Sequence, residues 1–193
     1  HVYYNPDVKK YNCNPEKARE LLKEAGYESL TLNLNIADRT VRMAELLKEQ
    51  LSEVGIELNV ISADGKTNDS RIDKNNYELA ITGHGGWGGE PDFLIERFAG
   101  QKLQGRLSSS GAAGYSNSKL AELLAAQKKE FDSGKRRKLL YKAQNILAND
   151  VPEIPLYYTA AYTVYRPKKY DGWMFMFDHH SLIHSKLSYL ERE

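Results

Sequence analysis

The sequence predicts an α/β fold in which a mixed sheet is flanked by helices. Residues 30–36 and 56–60 alternate apolar and polar side chains, which is the period of a half-buried strand. Between them, residues 38–54 repeat apolar side chains at the spacing of a helix. A crossover of this kind is right-handed in nearly all proteins and leaves its two strands parallel. With 193 residues the chain can bury one substantial core, so we expect a single domain.

Composition and charge exclude several classes of protein. The formal net charge of +1 offers no electrostatic basis for binding nucleic acid. No apolar run approaches the roughly 18 residues that a membrane-spanning helix requires. Cys13 is the single cysteine, so neither an internal disulfide nor a cysteine-based metal cage can form. Because the sequence begins with His1 rather than Met, we expect a processed or excised piece of a longer protein.

The N-terminal part predicts a linker followed by a capped helix. Residues 1–14 contain the turn signals of a linker. Asn14 is a favoured N-cap residue, Pro15 suits the first helical position, and Gly26 suits the position just past the helix end. The apolar stripe of this helix comprises Ala18, Leu21, Leu22 and Ala25.

The strand–helix–strand unit comes next and is followed by a third strand. Its first strand is expected to place Asn35 on the polar face. Asp38 is expected to cap the crossover helix, which Gly55 ends. Residues 62–76 are polar and have room for one short helix, and residues 77–82 supply the third strand.

The C-terminal half predicts a helical hairpin and further strands. A helix capped near Ser116 or Asn117 carries an apolar stripe that ends at Phe131, and Gly134 separates it from a second helix. Two further β-rich runs follow, residues 156–165 and residues 173–177.

A glycine-rich loop follows the third strand and is the expected functional feature of the chain. Residues 83–92 combine five glycines with an imidazole, an indole and two carboxylates. Functional loops of α/β sheets follow the strand ends, so we expect this loop to contact any ligand that the protein binds. Glycine lets backbone approach a ligand closely, and an indole offers a flat apolar face. The candidate ligand-binding residues are His84, Gly86, Trp87, Gly88, Glu90 and Asp92.

Three of these residues also have a purely structural explanation. Trp87 can equally fill the core, and Glu90 can accept hydrogen bonds from backbone in the loop. Asp92 can cap a short helix that begins at residue 93.

Metal binding is only weakly indicated by the histidines. His84 is a weak candidate for a metal ligand. Three histidines of the C-terminal tail could bind a metal together only on a helix, which the residues around them weakly support. Those three are His179, His180 and His184.

An enzyme domain is the competing function at this point. Residues 83–89 could serve as a nest for an anion or a cofactor, because successive backbone N–H groups can converge on one. The loop matches neither of the glycine-rich phosphate-binding patterns. No acid–base pair and no nucleophile elbow stand out elsewhere in the sequence.

Several stretches together resemble one protein family. They are similar, in the same order, to stretches of the family 5 extracytoplasmic solute-binding proteins, which serve peptide and nickel ABC importers. The most distinctive are GYSN at residues 114–117 and VPEIPLYY at residues 151–158. The others are residues 14–27, residues 50–56, and Asp132 with Lys135 and Arg136.

The resemblance implies a non-catalytic lobe of a two-lobe clamshell. In that arrangement residues 1–14 are a linker from a missing N-terminal lobe, and residues 15–170 form the ligand-binding lobe. Residues 171–193 then lead back toward the other lobe. The lobes would close on a peptide or a metal chelate and deliver it to a membrane permease, without a cofactor. The implied location is extracytoplasmic, either periplasmic or lipid-anchored on the outer face of the cytoplasmic membrane.

Two features depart from the ligand-specific patterns of that family. Peptide-binding members carry an aspartate shortly before the acidic-Pro pair, where it clamps the ammonium of the peptide. Trp87 stands at that place here. Either Glu90 or Asp92 supplies the charge, or the ligand has no ammonium. Nickel-binding members place a histidine beyond the short helix, but residues 101–114 contain none, which leaves His84 as the nearest substitute.

Overall fold

The computed structural model describes residues 2–83 and 115–158, the single residues Pro91 and Phe98, and the backbone of two short strands. The elements, in chain order, are α1 (Pro15–Glu24), β1 (Leu30–Ala37), a 3-10 turn (Asp38–Thr40), α2 (Val41–Ser52), β2 (Ile56–Ala63), α3 (Gly65–Asp73), β3 (Leu79–Ala80), α4 (Ser118–Lys128), α5 (Ser133–Asp150), β4 (Tyr170–Asp171) and β5 (Glu191–Arg192).

A parallel sheet of three strands, in the order β2-β1-β3, forms the centre of the N-terminal half. β1 pairs with β2 along its whole length, from Leu30 opposite Ile56 to Ala37 opposite Ala63. β3 pairs with the other edge of β1 through two residue pairs only. The predicted α/β class and the predicted parallel crossover are both confirmed. β4 and β5 form a separate antiparallel pair.

Helices cover both faces of this sheet. β1 connects through α2 to β2 on one side, and β2 connects through α3 to β3 on the other side of β1. Because both crossovers are expected to be right-handed and they run in opposite directions across the sheet, α2 and α3 lie on opposite faces. On the α2 face the core contains Leu34, Ile36, Ala44 and Leu58. Each of the larger side chains stabilises the fold by about 1.5–3 kcal/mol through burial.

The helix on the second face explains why the prediction for Asn35 is wrong. Asn35 was expected on the polar face of a half-buried strand, but it is only 4% exposed. Its Nδ2 donates a hydrogen bond to the carbonyl oxygen of Asn76 at 3.1 Å. A buried amide requires such a partner, because an unpaired one would lose its hydrogen bonds to water without compensation.

The ends of α1 agree with the prediction, whereas its apolar stripe differs. Asn14 Oδ1 accepts a hydrogen bond from the backbone N–H of Lys17 at 2.9 Å, and Gly26 adopts a φ of +85° just past the helix. No residue of α1 is buried, and Leu21, expected to face the core, is 52% exposed. The capping signals therefore located the helix, but its periodicity did not indicate how deeply it packs.

The crossover helix begins differently from the prediction. Asp38 was expected to be its N-cap, but residues 38–40 form a 3-10 turn and α2 starts at Val41. The Asp38 carboxylate accepts a hydrogen bond from the Ser62 hydroxyl instead. Gly55 ends the crossover as predicted, with a φ of +89°.

The helical hairpin of α4 and α5 surrounds a second core. Leu120, Leu124, Ala143 and Phe98 are buried together there. Asn117, one of the two predicted caps, accepts a hydrogen bond from the backbone N–H of Leu120 at 3.0 Å.

The break between the two hairpin helices lies before Gly134 rather than at it. Asp132 caps α5 by accepting a hydrogen bond from the N–H of Lys135 at 2.7 Å, so Gly134 belongs to the first turn of that helix. Phe131, expected in the apolar stripe of the first helix, lies between the helices and is fully exposed. The carboxylate cap thus determined the start of α5 more strongly than the glycine did.

The segment before α1 lies along α5. Asn5 is buried, and its backbone N–H donates to Gln144 Oε1 at 3.0 Å. Gln144 Nε2 in turn donates to the carbonyl oxygen of Tyr3 at 2.7 Å. Farther along, the Tyr11 hydroxyl donates to the carbonyl oxygen of Ala148 at 3.0 Å. The division of the chain into a linker, a lobe and a tail stays a prediction.

The remaining predicted strands are shorter than expected or fall outside the described residues. β3 is paired only over Leu79–Ala80, whereas residues 77–82 were predicted. Residues 156–158 have no regular structure, and residues 159–165 and 173–177 lie outside the described residues. Within the described part of the chain, no helix has both the length and the apolar character to cross a membrane.

Candidate functional site

The strand order predicts a ligand crevice at the carboxyl ends of β1 and β3. In an open parallel sheet, ligands bind at the carboxyl ends of the strands, at the point where the strand order reverses. The order β2-β1-β3 puts that point between β1 and β3. The backbone N–H of Ile81 still bonds to the carbonyl oxygen of Asn35 at 3.1 Å, so the two strands stay together up to this edge. Residues that follow Ala37 and Ile81 therefore border the crevice.

The predicted glycine loop begins at this crevice. Gly83 is exposed, and a Cβ placed on it would meet no atom within 4 Å. Space is thus available beside the chain where the loop leaves the sheet. Pro91, near the other end of the loop, lies in a turn and is partly buried.

The residues predicted to bind a ligand belong to the glycine loop. They lie outside the described residues, and their contact with a ligand stays a prediction. These residues are His84, Gly86, Trp87, Gly88, Glu90 and Asp92. The three tail histidines, His179, His180 and His184, also lie outside the described residues.

The Asp38 carboxylate occupies the β1 side of this edge. Its Oδ1 accepts a hydrogen bond from the Ser62 hydroxyl at 2.5 Å, and this bond links the end of β1 to the end of β2. Thr40 Oγ1 donates to the carbonyl oxygen of Ala37 at 2.7 Å and closes the turn after β1. Both bonds fix the backbone that borders the crevice.

The Asp64 carboxylate occupies the β2 side and caps α3. It accepts hydrogen bonds from the Thr67 hydroxyl at 2.6 Å and from the N–H groups of Lys66 and Thr67 at 3.0 and 3.2 Å. The Thr67 hydroxyl, followed by its N–H, lowers the pKa of Asp64 below its ordinary value. Asp64 therefore stays charged and is already bound by its own helix, so it serves as a cap rather than as a free ligand group.

A guanidinium group lies against the start of α3. A Cβ on Gly65 would lie 3.4 Å from Arg39 Nη1, so glycine lets the first turn of the helix pack beside Arg39. Sequence reasoning did not single out Arg39 or Ser62, and it placed Asn35 only on the polar face of its strand. A signal was present for Arg39, because it lies two residues after the first strand of a parallel sheet.

The described side chains at this edge hold the neighbouring backbone in place by hydrogen bonds, but they form no metal-binding cluster. No group of three or more His, Cys, Asp or Glu side chains among the described residues could hold a metal ion. Cys13, the single cysteine, is exposed on the segment before α1.

A second fixed point lies after that region, where the chain enters α4. The Tyr115 hydroxyl donates to Asp150 Oδ2 at 2.6 Å, and Asn117 Nδ2 donates to the same oxygen at 2.9 Å. Burial, and then the hydrogen bond to Asp150, raise the pKa of Tyr115 to about 12. The two hydrogen bonds lower the pKa of Asp150. This clasp ties the start of α4 to the end of α5.

Comparison with protein families gives a match over more than half of the chain. The sequence profile described as bacterial extracellular solute-binding proteins, family 5 Middle, matches residues 1–105. That range includes the parallel sheet, the crevice and the glycine loop.

Individual relatives with established names match most of the chain. Di/tripeptide-binding protein 4 of Pseudomonas aeruginosa is 29% identical over 172 residues, which is 84% of this chain and 32% of that protein. The glutathione-binding protein GsiB of Escherichia coli is 30% identical over 165 residues, which is 80% of this chain and 32% of that protein. The chain therefore spans about a third of the length of these relatives.

Solved structures show the same arrangement of elements. The periplasmic binding protein DppA of Helicobacter pylori, in complex with the peptide STSA, aligns with a TM-score of 0.71 at 26% identity and covers 78% of this chain and 30% of its own. An oligopeptide-binding protein of Borrelia burgdorferi aligns over the whole of this chain and 38% of its own, with a TM-score of 0.78 at 24% identity. Because the Borrelia burgdorferi protein is less than 25% identical to this chain, its similarity shows the fold alone.

Proposed function

Because the chain belongs to family 5 of the bacterial extracellular solute-binding proteins, we propose that it is the C-terminal lobe of a binding protein that captures a peptide or a metal chelate for an ABC importer. The family match carries this proposal, because it extends over the β1/β3 crevice and the glycine loop. Two relatives are named for di- and tripeptides and for glutathione, which favours short peptides as the ligand class.

We propose the glycine loop as the wall that this lobe contributes to the binding cleft. The position of Gly83 at the open carboxyl edge of the sheet supports the assignment. Trp87 would stack on the ligand, and the backbone of Gly86 and Gly88 would approach it closely. His84, Glu90 and Asp92 would supply the polar contacts. Trp87 replaces the family's ammonium clamp, which favours a ligand whose ammonium meets another carboxylate or is absent.

The mechanism would be a shift between open and closed forms. A ligand that bridges both lobes favours the closed form by the free energy of the contacts it makes only there. The membrane permease would then recognise the closed form. No residue of this lobe needs to make or break a covalent bond in this scheme.

Calorimetry on two proteins tests the two-lobe account. We expect the 193-residue chain to bind a tripeptide weakly or not at all, because half of the contacts are absent. A protein that also contains an N-terminal lobe should bind it tightly. Equal, tight binding by both proteins would contradict the proposal.

The ligand class can be resolved with three probes in the same assay. The probes are a tripeptide with a free N-terminus, its N-acetylated form and a nickel–histidine chelate. They differ in the group that would lie near Trp87, at the place where peptide-binding members of the family carry the clamping aspartate. A preference for the free N-terminus would indicate that Glu90 or Asp92 replaces the clamp. Turnover of phosphoesters or nucleotides that disappears in both Trp87→Ala and His84→Ala would instead support the enzyme alternative.

A further inference from the structure

A basic groove is lined by residues of α3 and by Asn76, just after that helix. It has a volume of about 390 Å³ and is open to solvent. Its lining consists of three cationic side chains, two hydroxyls and one amide. These residues are Lys66, Arg71, Lys74, Thr67, Ser70 and Asn76.

The cations of this groove have no anionic partner within the described part of the chain. The ion pairs found there join Lys17 to acidic neighbours on α1. Arg71 Nη1 is shielded from solvent and makes no hydrogen bond. That nitrogen is enclosed by the protein, as is Asn68 Oδ1 three residues earlier, so a docked segment would meet the other guanidinium atoms of Arg71, which lines the groove.

Among the described residues, the acidic side chains near the groove form no ion pair with its cations. The Asp64 carboxylate is held by the first turn of α3 as its cap. Asp69 and Asp73 are on the same helix but do not line the groove. The groove therefore presents three positive charges and hydrogen-bond donors on one helix face, although the whole chain has a net charge of only +1.

The spacing of the cations favours an extended chain over a compact anion. At a rise of about 1.5 Å per residue, Lys66 and Arg71 are separated by roughly 7.5 Å along the axis of α3, and Lys66 and Lys74 by roughly 12 Å. In an extended peptide, side chains on one face repeat about every 6.6–6.8 Å. A single phosphate is too small to reach from Lys66 to Lys74.

We propose that this groove docks an acidic, extended segment of a partner protein, with carboxylates at alternate positions. The first carboxylate would meet Lys66, and the second would meet Arg71 and Lys74. Thr67, Ser70 and Asn76 would hydrogen-bond the backbone or side chains of the segment. The described residues that line the groove belong to α3 and to Asn76 just after it, and neither Gly83 nor Pro91 is among them.

Fluorescence anisotropy with labelled peptides tests the proposal. The probes are a nonapeptide with Glu at alternate positions separated by Ser, and the same peptide with Gln in place of Glu. The Glu peptide should bind the 193-residue chain, and the double variant Lys66→Glu/Lys74→Glu should bind it at least about tenfold more weakly. Lys119→Glu, a single charge reversal at an exposed position in the first turn of α4, should change the affinity by less than about twofold.

Two further measurements make the outcome decisive. Circular dichroism of each variant establishes that the fold is intact, which the exposed positions of both lysines lead us to expect. Inorganic tripolyphosphate serves as the compact competitor. Equal binding of the Glu and Gln peptides, or equal binding by the double variant and the unmodified chain, would overturn the proposal. Displacement of the peptide by tripolyphosphate at lower concentration than the peptide itself would assign the groove to small anions instead.

Discussion

The Tyr115 hydroxyl and the Asp150 carboxylate are joined by a 2.6 Å hydrogen bond that connects the segment entering α4 to the last turn of α5. The two residues are 35 positions apart in sequence. Asn117 donates to the same carboxylate and caps α4 with its other side-chain atom. This clasp therefore fixes the orientation in which the chain enters the helical hairpin.

Replacing Tyr115 with phenylalanine should lower the stability of the hairpin. Tyr115→Phe keeps the edge-to-face contact with Phe98 but removes the donor to Asp150. We expect a melting temperature lower by a few degrees, measured by circular dichroism. Tyr158→Phe removes the same atom from a side chain that is almost fully exposed, and should leave the melting temperature unchanged. Equal effects of the two substitutions would show that the clasp contributes nothing.

The contribution of the clasp should depend on pH at both extremes. The hydrogen bonds lower the pKa of Asp150, so its contribution is complete above the ordinary pKa of about 3.9 and is lost as the pH falls through the folded value. Burial raises the pKa of Tyr115 to about 12, so that contribution is complete below pH of about 10 and is lost as the pH rises toward 12. Urea unfolding of the unmodified chain and Tyr115→Phe, compared across the pH range, should show the largest difference between these limits. A difference that does not vary with pH would contradict the assignment.

The segment before α1 should depend on Asn5 for its position. Asn5→Ala removes a buried amide that hydrogen-bonds Asn145 and the backbone carbonyl of Tyr141. We expect a loss of about 1–3 kcal/mol in the free energy of unfolding, because the partner groups on α5 are left unpaired. Limited proteolysis should also cut residues 2–13 faster. Asn12→Ala, at an exposed position of the same segment, is the matched control and should change neither measurement.

A substitution at the end of α5 should stabilise the chain. Val151 adopts a φ of +48°, a left-handed conformation that a β-branched residue rarely occupies. Val151→Gly removes the steric cost of the Cβ atom, which is about 1–2 kcal/mol. Glycine also increases the conformational entropy of the unfolded chain, and this offsets part of the gain in stability. A higher urea midpoint for Val151→Gly, with no increase for Val151→Ile, is the expected result. A lower midpoint for the glycine variant would indicate that packing of the Val151 side chain outweighs its backbone strain.

Trp87 should be the largest single contributor to ligand binding in a two-lobe protein. Trp87→Ala is expected to weaken the affinity for the preferred peptide by about 10–100-fold, through loss of a stacked aromatic surface. Trp87→Phe should recover part of this loss. Trp173→Ala changes the other tryptophan of the chain and should have little effect on affinity. If Trp87→Ala lowers the melting temperature but leaves the affinity unchanged, the indole fills the core instead.

Local sequence signals located most of the elements correctly. Asn14 with Gly26, Gly55 and Asn117 marked helix ends because capping depends on a few neighbouring atoms. The parallel pairing of β1 and β2 followed from the order strand, helix, strand.

Features that depend on packing between distant segments were not predictable in the same way. Asn35 is buried because α3 packs on the second face of the sheet. The sequence of β1 alone contains no signal that a helix packs on that face. Asp38 bonds to Ser62 rather than capping α2, because the parallel pairing brings the ends of two strands together. The position of the candidate crevice follows from strand order alone, and contact between a ligand and the loop beyond Gly83 stays a prediction.

The unequal pairing of β1 has a consequence for how the two sides of the crevice can respond to a ligand. Separating β2 from β1 would break eight residue pairs, whereas separating β3 would break two. The free energy of local opening is therefore expected to be much smaller on the β3 side, since fewer cooperative contacts are lost. The strand that carries the glycine loop can adjust its position while the strand beside it stays fixed. If a ligand binds there, we expect the β3 border of the candidate crevice to shift more readily than the β1 border.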